Sequence, residues 1–272
     1  MNKLSVSITI ILTSMSLCLP SFAQFTQNEV TERKRIEHFL KTAEIIRHED
    51  IGEGVTKPKR LYLRMGDEEL TGVWKNPKGS DRGYREGWEY EIAAYNLDKL
   101  MDLNMIPPTV ERKFRGRRGS LQIWVSGLTS RLGMKEQNIT IPDEETVRCE
   151  KMFCIARAFD SLISNIDRTL QNTTFTNDWR MILIDHSRAF RFDRFYVDQL
   201  LYGKKGMRKM PFFPLPRSFV AKIRRLDAES IKRSVGTYLK KVEIQAVLKR
   251  AKILLNEIDE EIRIHGAEQV LY

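Results

Sequence analysis

The sequence predicts an α+β fold in two lobes, a β-rich N-terminal lobe with one helix and a mostly helical C-terminal lobe. Three observations predict it. Between residues 59 and 125, short extended runs flank a single amphipathic helical stretch. Beyond Pro142, apolar residues recur at helical spacing for most of the remaining chain. The helical half is interrupted by a hairpin whose apolar run RMILI leads straight into Asp185.

The first residues, MNKLSVSITIILTSMSLCLPSFAQ, read as a secretory signal peptide over 1–23. Lys3 supplies a positive start, Leu4 to Leu19 an apolar core, and Ser21 and Ala23 the small residues that cleavage requires. The apolar stretch is nearly long enough for a membrane anchor, but Ser, Thr and Pro dilute it. The expected address is export, periplasmic or secreted, with no integral membrane segment after cleavage. Residues 24–48 follow as an N-terminal helical segment ending in a connecting stretch.

The N-lobe is expected over 49–127. Leu61 and Leu63 alternate with polar neighbours, Gly66-Asp67 marks a turn, and Leu70 to Trp74 resumes an extended run that ends at Lys75. NPKGSDRGYREG is a polar, glycine-bearing loop. WEYEIAAYNLDKLMDLN is an amphipathic helix with Ala93, Ala94, Leu97, Leu100 and Met101 as its apolar stripe. Pro107-Pro108 halts it, and GSLQIWV forms another strand. The C-lobe is expected over 128–272. Its first long helix opens at Pro142 with an acidic first turn, as the helix dipole favours. A hairpin spans Thr173 to Ile184, and mostly helix follows, amphipathic from Asp227 to Ile264.

Composition excludes several classes. With 42% hydrophobic and 30% charged residues the chain is that of an ordinary globular protein. Cys149 and Cys154 are the cysteines beyond the signal peptide, and five residues apart on a helix they point to different faces, so no disulfide framework is expected. Four His and these cysteines have no zinc-ligand spacing. The net charge of +10 gathers at RKFRGRR (112–118), Lys204–Lys209 and Arg217–Arg225. Aromatic interleaving of the kind that single-strand binders use is missing, so no nucleic acid is expected. Anionic phosphates or an acidic partner fit the charge better.

Chemistry concentrates in FDSLISNIDRTLQN and the strand end after it. Asp167 and Asn172 stand in D-x-x-x-x-N spacing, and one hairpin separates them from Asp185. Phosphoryl transfer from a metal–nucleotide needs such a set: one Asp to accept the hydroxyl proton, and an Asn with a second Asp to hold the metal. Upstream, Lys75 ends a strand where it can neutralise nucleotide phosphates, and Glu91 sits on the next helix where it can pair with that lysine or reach the metal. Gly52 and Gly54 could let backbone amides approach phosphate oxygens. Asp160, Arg168 and Arg188 flank the set, and structural ion pairing is their default reading.

YEIAAYNLDKLMDLNMIPPTVERK, FDSLISNIDRTLQN and LIDHSRAF resemble segments of the secretory-pathway kinases related to the Golgi casein kinase and the glycosaminoglycan xylosylkinase. More remotely they are similar to HipA-like and phosphatidylinositol 3-/4-kinase-like folds. The resemblance covers roughly residues 50–195 and implies a protein-kinase-like (atypical kinase) fold. It further implies Asp167 and Lys75 as catalytic residues, Lys75, Glu91 and Gln122 as nucleotide contacts beside the Gly52 and Gly54 already read from the loop, and Asp185, Asn172 and Glu91 as metal ligands. The expected reactants are ATP with Mg²⁺ or Mn²⁺ and a hydroxyl-bearing acceptor, a protein or glycan, acidic in one variant; the chain is expected to be a monomer. His186-Ser187 stands where relatives have a small residue and glycine, and Thr169 replaces a histidine. These departures, with the missing disulfides, point to a minimal bacterial version. They keep open a pseudokinase scaffold, and the fold leaves lipid phosphorylation and AMP transfer as further alternatives.

Overall fold

The computed structural model describes residues 25–52, 58–81 and 83–272. The expected signal peptide and Gly54 lie outside the described residues. Helix α1 (Gln27–Thr42) opens with a capping box, Thr26 and Glu29 satisfying each other's backbone N–H groups. The chain turns at once into strand β1 (Glu44–Asp50), which continues through β2 (Lys59–Met65) and β3 (Glu68–Lys75). A small hairpin, β4 (Lys78–Asp81) and β5 (Tyr84–Gly87), leads into helix α2 (Trp88–Met101), then β6 (Thr109–Phe114) and β7 (Arg117–Ile123). The five long strands form one antiparallel sheet in the order β1-β2-β3-β7-β6.

Three N-lobe elements differ from expectation. Residues 44–50, read as a connecting stretch, are the edge strand of the sheet. The segment Thr109–Phe114 is a strand although charged residues fill its middle; Val110 and Phe114 anchor it in the core. The polar loop after Lys75 is a two-stranded hairpin. In each, backbone pairing overrides a sequence too polar to signal a strand. Arg112, read as part of a basic patch, donates to the carbonyls of Leu40, Lys41 and Ala43 and so caps the C-terminal end of α1.

The C-lobe begins with strand β8 (Thr129–Ser130) and helix α3 (Arg131–Glu136). Helix α4 (Asp143–Ile163) starts just after Pro142, as its acidic first turn predicts. Strands β9 (Thr173–Phe175) and β10 (Met181–Leu183) make the expected hairpin, with β8 as a third strand. Between Asp185 and Pro216 the chain is mostly irregular, with the short helix α5 (Arg194–Val197), where helix was expected; Gly203, Gly206, Pro211, Pro214 and Pro216 punctuate it. Helices α6 (Arg217–Arg224), α7 (Ala228–Val235), α8 (Lys241–His265) and α9 (Ala267–Val270) complete the lobe.

Two cores result. Phe39, Leu40, Leu61, Leu63, Trp74, Val110 and Leu121 pack between α1 and the sheet. The larger core gathers α4, α8 and the β9–β10 hairpin, and it includes the apolar stripe of α2 through Tyr90, Ala93, Ala94, Leu97 and Met101. Helix α2 is therefore anchored on the C-lobe. Tyr90 donates to Glu243 at 2.7 Å and Ser234 to the Asn96 carbonyl at 2.9 Å. The sheet contributes the end of β3, and α2 joins that end to the helical lobe. Cys149 and Cys154 are both free and buried. No helix among the described residues is long and apolar enough to cross a membrane.

Candidate active site

Lys75 is the last residue of β3, and its position depends on a glycine across the sheet. A Cβ at Gly119 would lie 2.4 Å from the Lys75 carbonyl oxygen and 2.7 Å from the Trp74 ring, so only glycine lets β7 pass this closely. The register Asp50–Lys59–Trp74 puts Gly52, just past β1 with φ +75°, at the same end of the sheet as Lys75. Gln122 sits on β7 opposite Val73 and donates to Thr109 Oγ1 at 2.8 Å.

The Lys75 ammonium lies between two carboxylates, 2.9 Å from Glu91 Oε1 and 3.1 Å from Asp185 Oδ1. Burial alone would lower its pKa, but Asp185 and Glu91 together hold it raised, so the lysine stays charged. Glu91 is buried, which works against its charge, yet Lys75 and His186 outweigh burial and keep its pKa depressed. Both Glu91 oxygens are taken by protein donors: Oε1 by Lys75, and Oε2 by the His186 backbone N–H at 2.8 Å. Of the two roles expected for Glu91, the geometry exhibits the lysine partner.

In the C-lobe, α4 ends in Ser164 with left-handed backbone and hands over to the loop that carries Asp167. Arg168 pins this loop. Its guanidinium grips Asp160 in two bonds, at 2.9 and 3.0 Å, and donates from Nη1 to the carbonyls of Asn172 and Ile184. Asp160 and Arg168 are thus a structural ion pair, and Asn165, which donates to Asp160 at 3.0 Å, completes it. Asn172 donates from Nδ2 to the Asp167 carbonyl at 2.8 Å, leaving its amide oxygen as acceptor. Asp185 follows β10 with φ 60°, a strained backbone for a residue with a side chain.

Arg188 departs from the purely structural reading. It donates to Glu86 at 2.6 Å and reaches Asp167 Oδ2 at 3.5 Å, so it touches the proposed base. Burial raises the Asp167 pKa, Arg188 opposes that, and Asp185 adds to it. Glu86 escaped the sequence reading because nothing in its polar loop marks it. Pairing of β4 with β5 brings it here, and Gly87 N–H donates to the Ser187 carbonyl at 3.0 Å beside it.

The structure therefore joins Lys75, Glu91 and Asp185 by direct contacts and places Asp167, Asn172 and Arg188 on the loops next to them. Among the described residues, no group of three or more His, Cys, Asp or Glu gathers into a metal cluster. Asp185 and the Asn172 amide oxygen are nonetheless hard oxygen donors. Mg²⁺ and Mn²⁺ bound with a nucleotide use one or two carboxylates and complete their shell with phosphates and water, so this donor set fits them.

No protein-family model matches the chain, and no curated protein matches it. Solved structures do resemble it. One is a hydra Fam20 protein determined with sugar, at 13% identity and a TM-score of 0.66, covering 93% of this chain and 95% of that one. Another is the Golgi casein kinase with Mn and ADP bound, at 16% identity and a TM-score of 0.65, covering 92% of this chain and 80% of that one. The Helicobacter pylori proinflammatory kinase CtkA matches at 10% identity and a TM-score of 0.53, covering 84% of this chain and 98% of that one. The two-lobed, α+β atypical-kinase fold expected from the sequence is the fold of the chain.

Proposed function

We propose that this chain is an exported, metal-dependent phosphotransferase that moves the γ-phosphoryl group of ATP to a hydroxyl of a protein or glycan. The observation that carries the reading is the meeting of Lys75 with both Glu91 and Asp185, while Asp167 lies on the adjoining loop. Lys75 binds phosphate oxygens. Asp167 orients the acceptor hydroxyl and takes its proton as the oxygen bonds to the γ-phosphorus and the bond to ADP breaks. Arg188 holds the Asp167 carboxylate in place. Asp185 and Asn172 would hold Mg²⁺ or Mn²⁺, which supplies charge neutralisation on the phosphates. Glu91 serves as the lysine partner.

The test is phosphate incorporation from γ-labelled ATP with Mn²⁺ into mixed protein and glycan acceptors, comparing wild type with D167A and D185A variants that remain folded. Wild-type turnover by D185A would refute the metal assignment. Intact mass of the product separates phosphoryl transfer from AMP transfer, and lipid acceptors in a parallel assay test that alternative. Export is tested by N-terminal sequencing of the protein recovered outside the cytoplasm, which should begin at Gln24.

A nucleotide-binding scaffold without turnover is the second reading. Direct contact between Lys75 and Asp185 favours it, because the lysine occupies the carboxylate a metal needs. Nucleotide binding by wild type with no turnover on any acceptor would select it.

A further inference from the structure

A line of buried polar residues crosses from the C-lobe loop to the sheet. Asp160, wholly buried on α4, holds Arg168, and Arg168 Nη2 lies 2.8 Å from His186 Nε2. A guanidinium has donors only, so Nε2 must accept, and a neutral ring then carries its proton on Nδ1. Nδ1 is buried without a hydrogen-bond partner and faces Glu91 Oε2 at 3.8 Å. That oxygen already accepts the His186 backbone N–H, and the other Glu91 oxygen accepts from Lys75. His186 is the residue that touches both halves of this line.

We propose that His186 is a positioning residue that couples the Arg168-pinned loop to the Lys75–Glu91 pair, holding the lysine in place to receive nucleotide phosphate. The inference rests on the phosphotransferase reading for the meaning of that lysine. The imidazole, wholly buried, fills the space between the loop and α2. Because α2 is also packed into the C-lobe core, Glu91 is held from two sides. A buried N–H facing a carboxylate just out of range is unfavourable, and a closure of roughly 1 Å completes the bond. Nucleotide binding between the lobes would draw Glu91 and His186 together in this way.

Two measurements test the role. Nitrogen-15 spectra of the full chain at pH 7.5 should give His186 as the neutral Nδ1–H tautomer; an Nε2–H tautomer or an imidazolium would overturn the proposal. Calorimetry with ADP and Mn²⁺ should give H186A an affinity about tenfold weaker than wild type. H186N, which restores an N–H near the Nδ1 position, should recover most of it. H186A should cost little further in an E91Q background, since the partner is already changed. Equal ADP affinity of H186A and wild type would also overturn the proposal. Failure of wild type to bind any nucleotide sinks the phosphotransferase reading instead. The tautomer, and the non-additivity of H186A and E91Q in melting temperature, would still decide the role of His186.

Discussion

Lys75 and Asp185 meet at 3.1 Å, the one ending β3 and the other following β10, so this ion pair joins the N-lobe to the C-lobe at the candidate site. Around it four carboxylates, Glu86, Glu91, Asp167 and Asp185, face two cations, Lys75 and Arg188. This excess of negative charge repels a bare triphosphate. A divalent ion held by Asp185 would cancel that excess and would free Lys75 to turn toward phosphate. ADP with Mn²⁺ should therefore raise the melting temperature by several degrees at saturation, and ADP with EDTA should not. K75M should abolish the shift. An equal shift with and without the metal would remove metal-dependent nucleotide binding from the account.

Asp167 approaches the site as a half-buried carboxylate with the Arg188 guanidinium 3.5 Å away. Its backbone carbonyl is held by Asn172, so an Asn replacement keeps the loop and removes the proton acceptor. D167N should lower kcat by roughly 10²–10⁴ while leaving ADP affinity near wild type, the usual cost of losing a general base. A parallel loss of nucleotide affinity would instead make Asp167 a ligand-binding or structural group.

The lobes and the line Lys75, Glu91, Asp167, Asn172, Asp185 were legible in the sequence because each lies where a pattern ends: a strand, a helix start, a hairpin. What escaped is held by contacts remote in sequence. Glu86 reaches Arg188 across about 100 residues of chain, which no local periodicity encodes. Arg112 looked like surface charge because its role, capping α1, depends on sheet pairing. His186 read only as a departure from the relatives' pattern in the metal turn, since its contacts lie with Arg168 and Glu91 on two other elements. Turn chemistry and amphipathic spacing report on neighbours in the chain; they are silent on a buried line between lobes.

A pH effect on stability should come from Asp98 at the C-terminal end of α2. Burial drives its pKa up to about 7, against the opposing Met105 N–H bond and the Arg33 charge. Its unfolded value is near 3.9, so between about pH 4 and 7 the folded protein binds more protons than the unfolded chain. The slope of unfolding free energy with pH is then negative. The contribution is fully present below pH 4, is lost as pH rises to 7, and stays lost above. D98N, whose amide oxygen can still accept from Met105, should flatten this part of the profile, and the gap between the two curves should change by a few kcal/mol on the order-of-magnitude scale of a three-unit shift. Denaturant titrations of both proteins at pH 4.5, 6 and 7.5 measure it. Parallel curves would mean that Asp98 stays ionised throughout.

The acceptor side can be separated by charge. Of the basic segment at 112–118, Arg112 caps α1 and Arg118 is clamped on Glu111 by two bonds at 2.5 and 2.8 Å, so neither offers a free field. Arg208 is placed differently. It is exposed and donates to the Ile166 carbonyl at 3.1 Å, one residue before Asp167, on the segment that also carries the exposed Lys205 and Lys209. An acidic acceptor would approach Asp167 past this segment. Phosphorylation of acidic peptides should then weaken steeply as salt rises, because exposed charges are screened over about 8–10 Å. R208S combined with K209S should raise the acceptor KM several-fold with the KM for ATP unchanged, whereas R115S with R117S should do little. If neither pair alters the acceptor KM and the rate ignores salt, the charges are a solvated face and a neutral sugar hydroxyl becomes the acceptor to pursue.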